Sequence, residues 1–113
     1  MQLSSLLRPE KVKNYQKTAL KEDVVRLYDR RLKEQIYDRG KLNGIILPIS
    51  EDGTYGGYYD DDRVIAKAQD AGIDLFSIAE DVVGQLVKMG WKDAVATVDD
   101  NTTTVTIDLV EAE

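Results

Sequence analysis

Side chains that could carry out acid–base, nucleophilic or metal chemistry are few in this sequence of 113 residues. It contains no histidine and no cysteine, the residue types that most often serve as general base, thiol nucleophile or zinc ligand at neutral pH. Standard hydrolase triads and thiol catalysis are therefore excluded, and only carboxylate- or lysine-based chemistry remains. We predict that the protein is not an enzyme and that it holds no cofactor and no metal.

Two acidic runs are the remaining candidates for a cation site. The run Asp60–Asp62 lacks the alternating acidic positions, central glycine and distal glutamate of a calcium loop. The run Asp99–Asn101 fails in the same way, because Thr104 stands where that loop needs its glycine. We interpret an aspartate of the first run as a helix cap and the second run as a hairpin turn.

A loop rich in tyrosine and glycine, residues 50–59, is well suited to binding another molecule. Its residues Tyr55, Tyr58 and Tyr59 offer a large contact area at low entropic cost, and the glycines among them let a loop adapt. We predict that these tyrosines contact a partner. The alternative is that one or two of them cover the core beneath the loop.

Charge is distributed unevenly along the chain. Residues 1–41 hold eleven Lys/Arg and six Asp/Glu, a net charge of +5, whereas residues 42–113 hold four and fifteen, a net charge of −11. Such asymmetry is typical of a basic arm that docks on an acidic partner, or of head-to-tail self-association. Alternatively, the two segments fold against each other and neutralise locally. Within the basic segment we predict partner contacts for Arg26, Arg30 and Arg31.

The elements that position these residues begin with one helix or two over residues 9–39. Pro9 suits a first helical position, and apolar residues recur at steps of three and four until Gly40. Thr18 could cap a second helix, whereas a single helix of about 30 residues would extend roughly 45 Å and overhang its own domain. The predicted buried stripe is Val25, Tyr28, Leu32 and Ile36, widened by Val24 and Leu27.

The residue pattern in the middle of the chain predicts a strand followed by two helices. The strand, residues 45–49, contains Pro48 and should lie at an edge or an end of a sheet. A short helix should close at Gly72, and the next should begin after Asp74 as its N-cap. The second of these helices is apolar over most of its surface, so we expect it to be the centre of the core.

The residue pattern near the C-terminus predicts a β-hairpin. We expect Val98 to pair with Thr103, which places the small residues Ala94 and Ala96 on the inner face. The fold class is therefore α+β: three to four helices, including the long N-terminal helix or helix pair, layered on a small antiparallel sheet. The chain is expected to be a single domain, residues 1–113, with a basic helical segment at 1–41 and an acidic α+β body at 42–113.

The expected function is binding to other macromolecules. The start of the sequence lacks the features of a signal peptide, no stretch approaches a membrane helix, and the absence of cysteine fits a reducing compartment such as the cytoplasm. We predict a soluble interaction or assembly subunit, an adaptor or a structural component such as one of a virion, that binds a protein partner or itself. Neither a membrane nor a small-molecule substrate is expected as a partner.

Two alternatives remain open. The acidic body could inhibit a basic enzyme by mimicking nucleic-acid phosphates, although the basic first 41 residues count against this. The N-terminal helix could instead bind nucleic acid weakly, although the overall net charge of −6 counts against that. The residues for the second alternative would be Lys11, Lys13, Lys17, Lys21, Arg30 and Arg31.

Overall fold

The computed structural model describes residues 8–50, 59–99 and 103–111, without the side chains of 59–62. The predicted α+β architecture is confirmed: helices pack on a three-stranded antiparallel sheet that ends in a hairpin. The elements in chain order are α1 (Pro9–Lys33), one π-helical turn (Glu34–Asp38), β1 (Ile45–Pro48), α2 (Tyr59–Asp70), α3 (Leu75–Lys88), β2 (Asp93–Val98) and β3 (Thr104–Val110).

The N-terminal segment is one helix rather than two. Thr18 does not cap a second helix, because its hydroxyl donates a hydrogen bond to the carbonyl of Asn14 (3.0 Å), one turn back in the same helix. The π-helical turn follows Lys33 without a break. Gly40, at a φ of +66°, then turns the chain away as predicted.

The buried face of α1 is rotated from the predicted stripe. Val24, Leu27, Tyr28 and Leu32 are buried, whereas Val25 remains 38% exposed. Helix α1 packs against α2, α3 and β1 together, so its core face centres on Val24 and Tyr28. Val25 is about 100° further round the helix and lies at the margin of the core.

Strand β3 is the centre of the sheet, between β1 and β2. Strand β1 is therefore an edge strand, as Pro48 predicted. Its inward residues Ile45 and Leu47 lie opposite Ile107 and Val105, and all four are fully buried.

The predicted hairpin register is wrong by two residues. Val98 pairs with Val105, not with Thr103, because Asp99 closes a longer turn. Its amide donates to the carbonyl of Thr104 (3.1 Å), and its carboxylate accepts from the amide of Thr103 (3.1 Å). A shift of two keeps every side chain on its predicted face of the sheet, so Ala94 and Ala96 still point inward.

Helix α2 begins earlier than predicted. It starts at Tyr59, so Asp60–Asp62 lie within its first turn, and the prediction that one of them is the N-cap is wrong. The N-cap of α3 is confirmed: the carboxylate of Asp74 accepts from the amides of Phe76 (3.1 Å) and Ser77 (3.3 Å).

Helix α3 is not the centre of the core. Its buried residues, Leu75, Ile78, Ala79 and Val82, all lie in its first eight positions, and Met89 just beyond its end is 75% exposed. The core is shared among α1, the N-terminal half of α3 and the inner face of the sheet. Leu86, in the C-terminal half of α3, and Trp91, just beyond its end, are only partly buried.

The N-terminal part of α1 projects from this body. None of the side chains from Arg8 to Ala19, all of them described, is buried, and Leu20 is the first that packs against the core. The principal extents are 60 × 30 × 25 Å and the radius of gyration is 16.1 Å, compared with about 13 Å for a compact chain of this length. We call residues 8–19 the arm. The predicted overhang is thus present in the fold.

Candidate functional site: an apolar groove between two helices

An open groove of about 240 Å³ separates the second half of α1 from the end of α3. One wall is a single stripe of α1 and the π-helical turn, because residues that are three and four apart share a helix face. The other wall is the C-terminal half of α3, and Trp91 lies where the chain leaves that helix. The lining residues are Val25, Asp29, Leu32, Lys33, Ile36, Tyr37, Val82, Gln85, Leu86, Met89 and Trp91.

The groove is lined by apolar side chains that remain exposed to solvent in the folded protein. Tyr37 is 81% exposed, Met89 75% and Val25 38%. Ile36, Leu86 and Trp91 are partly buried and pack against the core from the same side. A continuous exposed apolar patch of this kind, rimmed by polar groups, is typical of an interaction site, whereas single exposed apolar residues are common on any protein.

One ion pair crosses the α1 wall of the groove. The amine of Lys33 lies 2.9 Å from the carboxylate of Asp29, and both side chains are more than half exposed. The hydrogen bond from Lys33 to Asp29, together with the attraction between their charges, raises the pKa of the Lys33 amine above its usual value. The pair of opposite charges presents a polar, locally neutral rim.

The sheet edge beside α1 is closed by two side chains. Gln35, in the π-helical turn, accepts a hydrogen bond from the amide of Ile46 (2.8 Å) and donates one to the carbonyl of the same residue (2.9 Å). The buried hydroxyl of Tyr28 donates to the carbonyl of Pro48 (2.6 Å). Burial raises the pKa of the Tyr28 phenol well above its usual value. The outward backbone groups of β1 are thus occupied, and this edge cannot accept another strand.

The opposite edge of the sheet, strand β2, is protected less completely. The amide of Ala94 donates to the carboxylate of Asp93 (2.8 Å), which removes one outward donor. Val95 is 49% exposed on the outer face of this strand. Within β2, whose residues are all described, Val95 is the one exposed large apolar side chain, whereas three such side chains line the groove.

The predicted arginine contacts do not form one surface. Arg26 is exposed and lies near Glu22 (3.8 Å) and Asp23 (3.5 Å) on its own helix. Arg30 is exposed one turn later. Arg31 lies about 100° further round the helix, and its side chain is only 13% exposed and lies 4.0 Å from Glu34.

The predicted tyrosine contacts fall mostly outside the described residues. Tyr55 and Tyr58 lie outside them, and of Tyr59 only the backbone, as the first residue of α2, is described. Their contact with a partner stays a prediction.

The sequence patterns predict neither the groove nor the closed edge of the sheet. Periodicity places Val25, Leu32 and Ile36 in a buried stripe. The stripe is wider than the core beneath it, so its margin lines the groove. Gln35 gave no signal, because a lone glutamine on a helix is ordinarily a solvated side chain.

The described residues show neither a metal site nor a membrane span. Among them, no three His, Cys, Asp or Glu side chains are grouped so as to hold an ion. Within the same ranges, no helix combines the length and apolar character needed to cross a membrane. In comparisons with known proteins, the chain matches no protein family, no curated protein and no solved structure.

Proposed function

We propose that this protein is a non-catalytic interaction or assembly subunit that binds a protein partner through the groove between α1 and α3. The observation that carries this proposal is the exposure of Tyr37, Met89 and Val25 around one groove. Covering these side chains would remove apolar surface from water, at about 25 cal/mol for each Å² buried. A protein partner can cover these apolar side chains by binding alone, without a chemical reaction.

The shape of the groove favours a helical partner segment. Its α1 wall runs from Val25 to Tyr37, about 18 Å along the axis, which is three turns of helix. An amphipathic helix laid in such a groove would insert anchors at spacings of three, four and seven residues. The partner is therefore expected to present a short apolar stripe on a helix.

The ionisable groups of the groove support binding rather than catalysis. Asp29 and Lys33 are paired with each other at 2.9 Å. A lysine held in its protonated form is neither a general base nor a nucleophile. The chain offers neither histidine nor cysteine for those roles.

Affinity capture with matched variants tests the proposal. Met89→Glu places a charge in the groove at a side chain that is 75% exposed, and Val95→Glu makes the same kind of change on the outer face of the sheet. Both variants should fold like the parent protein. We expect the parent and Val95→Glu to capture the same proteins, including tagged copies of the chain itself, and Met89→Glu to lose them. Capture that is identical for all three baits would contradict the proposal.

Weak nucleic-acid binding is a second candidate, because the projecting arm carries four cations and one acidic residue, Glu10. Fluorescence anisotropy with duplex and single-stranded probes at about 150 mM salt would measure it. On the proposed function, any binding should be weak and independent of sequence. A tight, sequence-dependent signal that is lost when Lys11, Lys13 and Lys17 are replaced would favour this candidate instead.

A further inference from the structure

Most side chains of the arm are exposed to water. Lys13, Gln16 and Lys17 are exposed and line an open cavity of about 250 Å³ with Ala71, at the end of α2. Val12, Tyr15 and Ala19 share a neighbouring face of the helix, since steps of three and four residues keep a common face, and Val12 and Ala19 are half-buried. Tyr15 is 76% exposed. The arm thus presents a short apolar stripe on a helix, which is the kind of ligand that the groove requires.

We infer that the groove is filled by the arm of a second copy of this chain, and that two copies exchange their arms in a two-fold symmetric dimer. This inference rests on the proposed function and names its partner. The stripe of one copy, with Tyr15 as its central anchor, would cover Leu86, Met89 and Trp91 of the other. Both surfaces belong to the same chain, so each copy supplies one arm and one groove.

The geometry of α1 permits this exchange in both directions at once. The centre of the stripe lies about eight residues before Asp23, and the centre of the groove wall lies about eight residues after it. At 1.5 Å per residue, each is about 12 Å from that level along one continuous helix. If two copies of α1 pack antiparallel about a two-fold axis near Asp23, each stripe therefore comes to the level of the other copy's groove. The arm cannot reach the groove of its own copy, because both lie along the same continuous helix.

Charge attracts the arm to the acidic body of a second copy and not to its α1, where residues 25–37 hold four cations against two carboxylates. The arm carries Arg8, Lys11, Lys13 and Lys17 against one acidic residue, whereas residues 42–113 have a net charge of −11. Beside the groove, Glu111 adjoins Met89 and Trp91, and Asp29 lines the groove itself, although Lys33 pairs with it. A basic arm is thus attracted to the body of a second copy, and the apolar stripe determines where it docks.

Disulfide trapping tests the exchange directly, because the chain has no cysteine of its own. We would prepare Tyr15→Cys, Met89→Cys and, as a control, Val95→Cys as separate proteins, mix them in pairs and oxidise them. The pair at positions 15 and 89 should form a covalent dimer at least tenfold more efficiently than the pair at 15 and 95. Tyr15→Cys alone should not cross-link, since the two copies of position 15 would be about 24 Å apart along the helix axis.

Sedimentation velocity on the unmodified chain and on Glu variants completes the test. The parent should pass from a 12.7 kDa monomer to a dimer as concentration rises. Tyr15→Glu and Met89→Glu should each weaken dimerisation at least tenfold, and Val95→Glu should not. A strict monomer up to about 1 mM, or a trapping yield no higher than that of the control pair, would overturn the exchange. If Met89→Glu still abolished capture of other proteins in that case, the exchange alone would be wrong and the proposed function would stand.

Discussion

Replacing Gln35 by leucine should open the sheet edge that this residue closes. The side-chain amide of Gln35 makes two hydrogen bonds to the backbone of Ile46, at 2.8 and 2.9 Å, and a third to the carbonyl of Arg31 at 3.2 Å. Leucine has a similar size but can neither donate nor accept. Gln35 is only 8% exposed, so water has little access to replace it.

The expected cost follows from the groups left without partners. A buried backbone donor or acceptor that loses its partner costs about 1–3 kcal/mol, and the substitution strands both groups of Ile46. Part of this cost is offset, because the side chain of Ile46 is exposed and water can reach this part of the strand. We therefore expect a loss of about 2–4 kcal/mol, which is a large share of the roughly 5–15 kcal/mol typical of a domain.

Urea unfolding followed by circular dichroism would measure this loss. Gln16→Leu makes the same substitution at an exposed position of α1 and should change stability by less than about 0.5 kcal/mol. Gln35→Glu keeps the acceptor for the Ile46 amide but sets a buried carboxylate against the carbonyls of Ile46 and Arg31, so it should cost at least as much as Gln35→Leu at neutral pH and recover as acid protonates the new carboxyl group. If Gln35→Leu unfolded at the same urea concentration as Gln16→Leu, the assignment of Gln35 as the group that closes the edge would be wrong.

Three further substitutions test the fold that supports the groove. Tyr28→Phe should cost about 1–3 kcal/mol, because it leaves the Pro48 carbonyl without its hydrogen-bond donor. Burial raises the pKa of Tyr28 in the folded state. In thermal melts above about pH 10, the parent should therefore lose stability more steeply than the variant. Partial desolvation pushes the pKa of Asp99 up, but hydrogen bonds from Thr103 and Thr104 outweigh it and hold that pKa below its usual value. Asp99→Ala should therefore melt lower than the parent at neutral pH, and this difference should shrink as pH falls below about 4; a constant difference would contradict the turn geometry. Val82→Asp places a charge at a side chain that is 7% exposed and should cost at least about 3 kcal/mol; a variant that melts like the parent would contradict the placement of α3.

Periodicity and local chemistry predicted most of the secondary structure. The N-cap of α3 depends on Asp74 and its neighbours in sequence, and the end of the N-terminal helix depends on Gly40, so both were readable locally. The edge position of β1 followed from one residue, because Pro48 lacks the donor that a central strand needs. The overhang of α1 followed from helix length alone.

Features that depend on tertiary packing were not readable in the same way. The hairpin register was missed because Asp99 closes its turn through side-chain hydrogen bonds that a pattern of apolar residues does not encode. The rotation of the α1 stripe depends on which three elements α1 packs against. The groove exists only because α3 continues past the core and stops beside the π-helical turn, and that juxtaposition joins residues about 50 positions apart in the chain.

Amide hydrogen–deuterium exchange, measured at low and at high protein concentration, tests the central claim most directly. In a monomer, the amides of residues 9–19 lie in a helical segment without buried side chains and should exchange quickly. If the arm docks in the groove of a second copy, residues 9–19 and residues 82–91 should gain protection together as concentration rises, while β2 stays unchanged. Protection that appears in β2 instead, or in neither segment, would contradict the account.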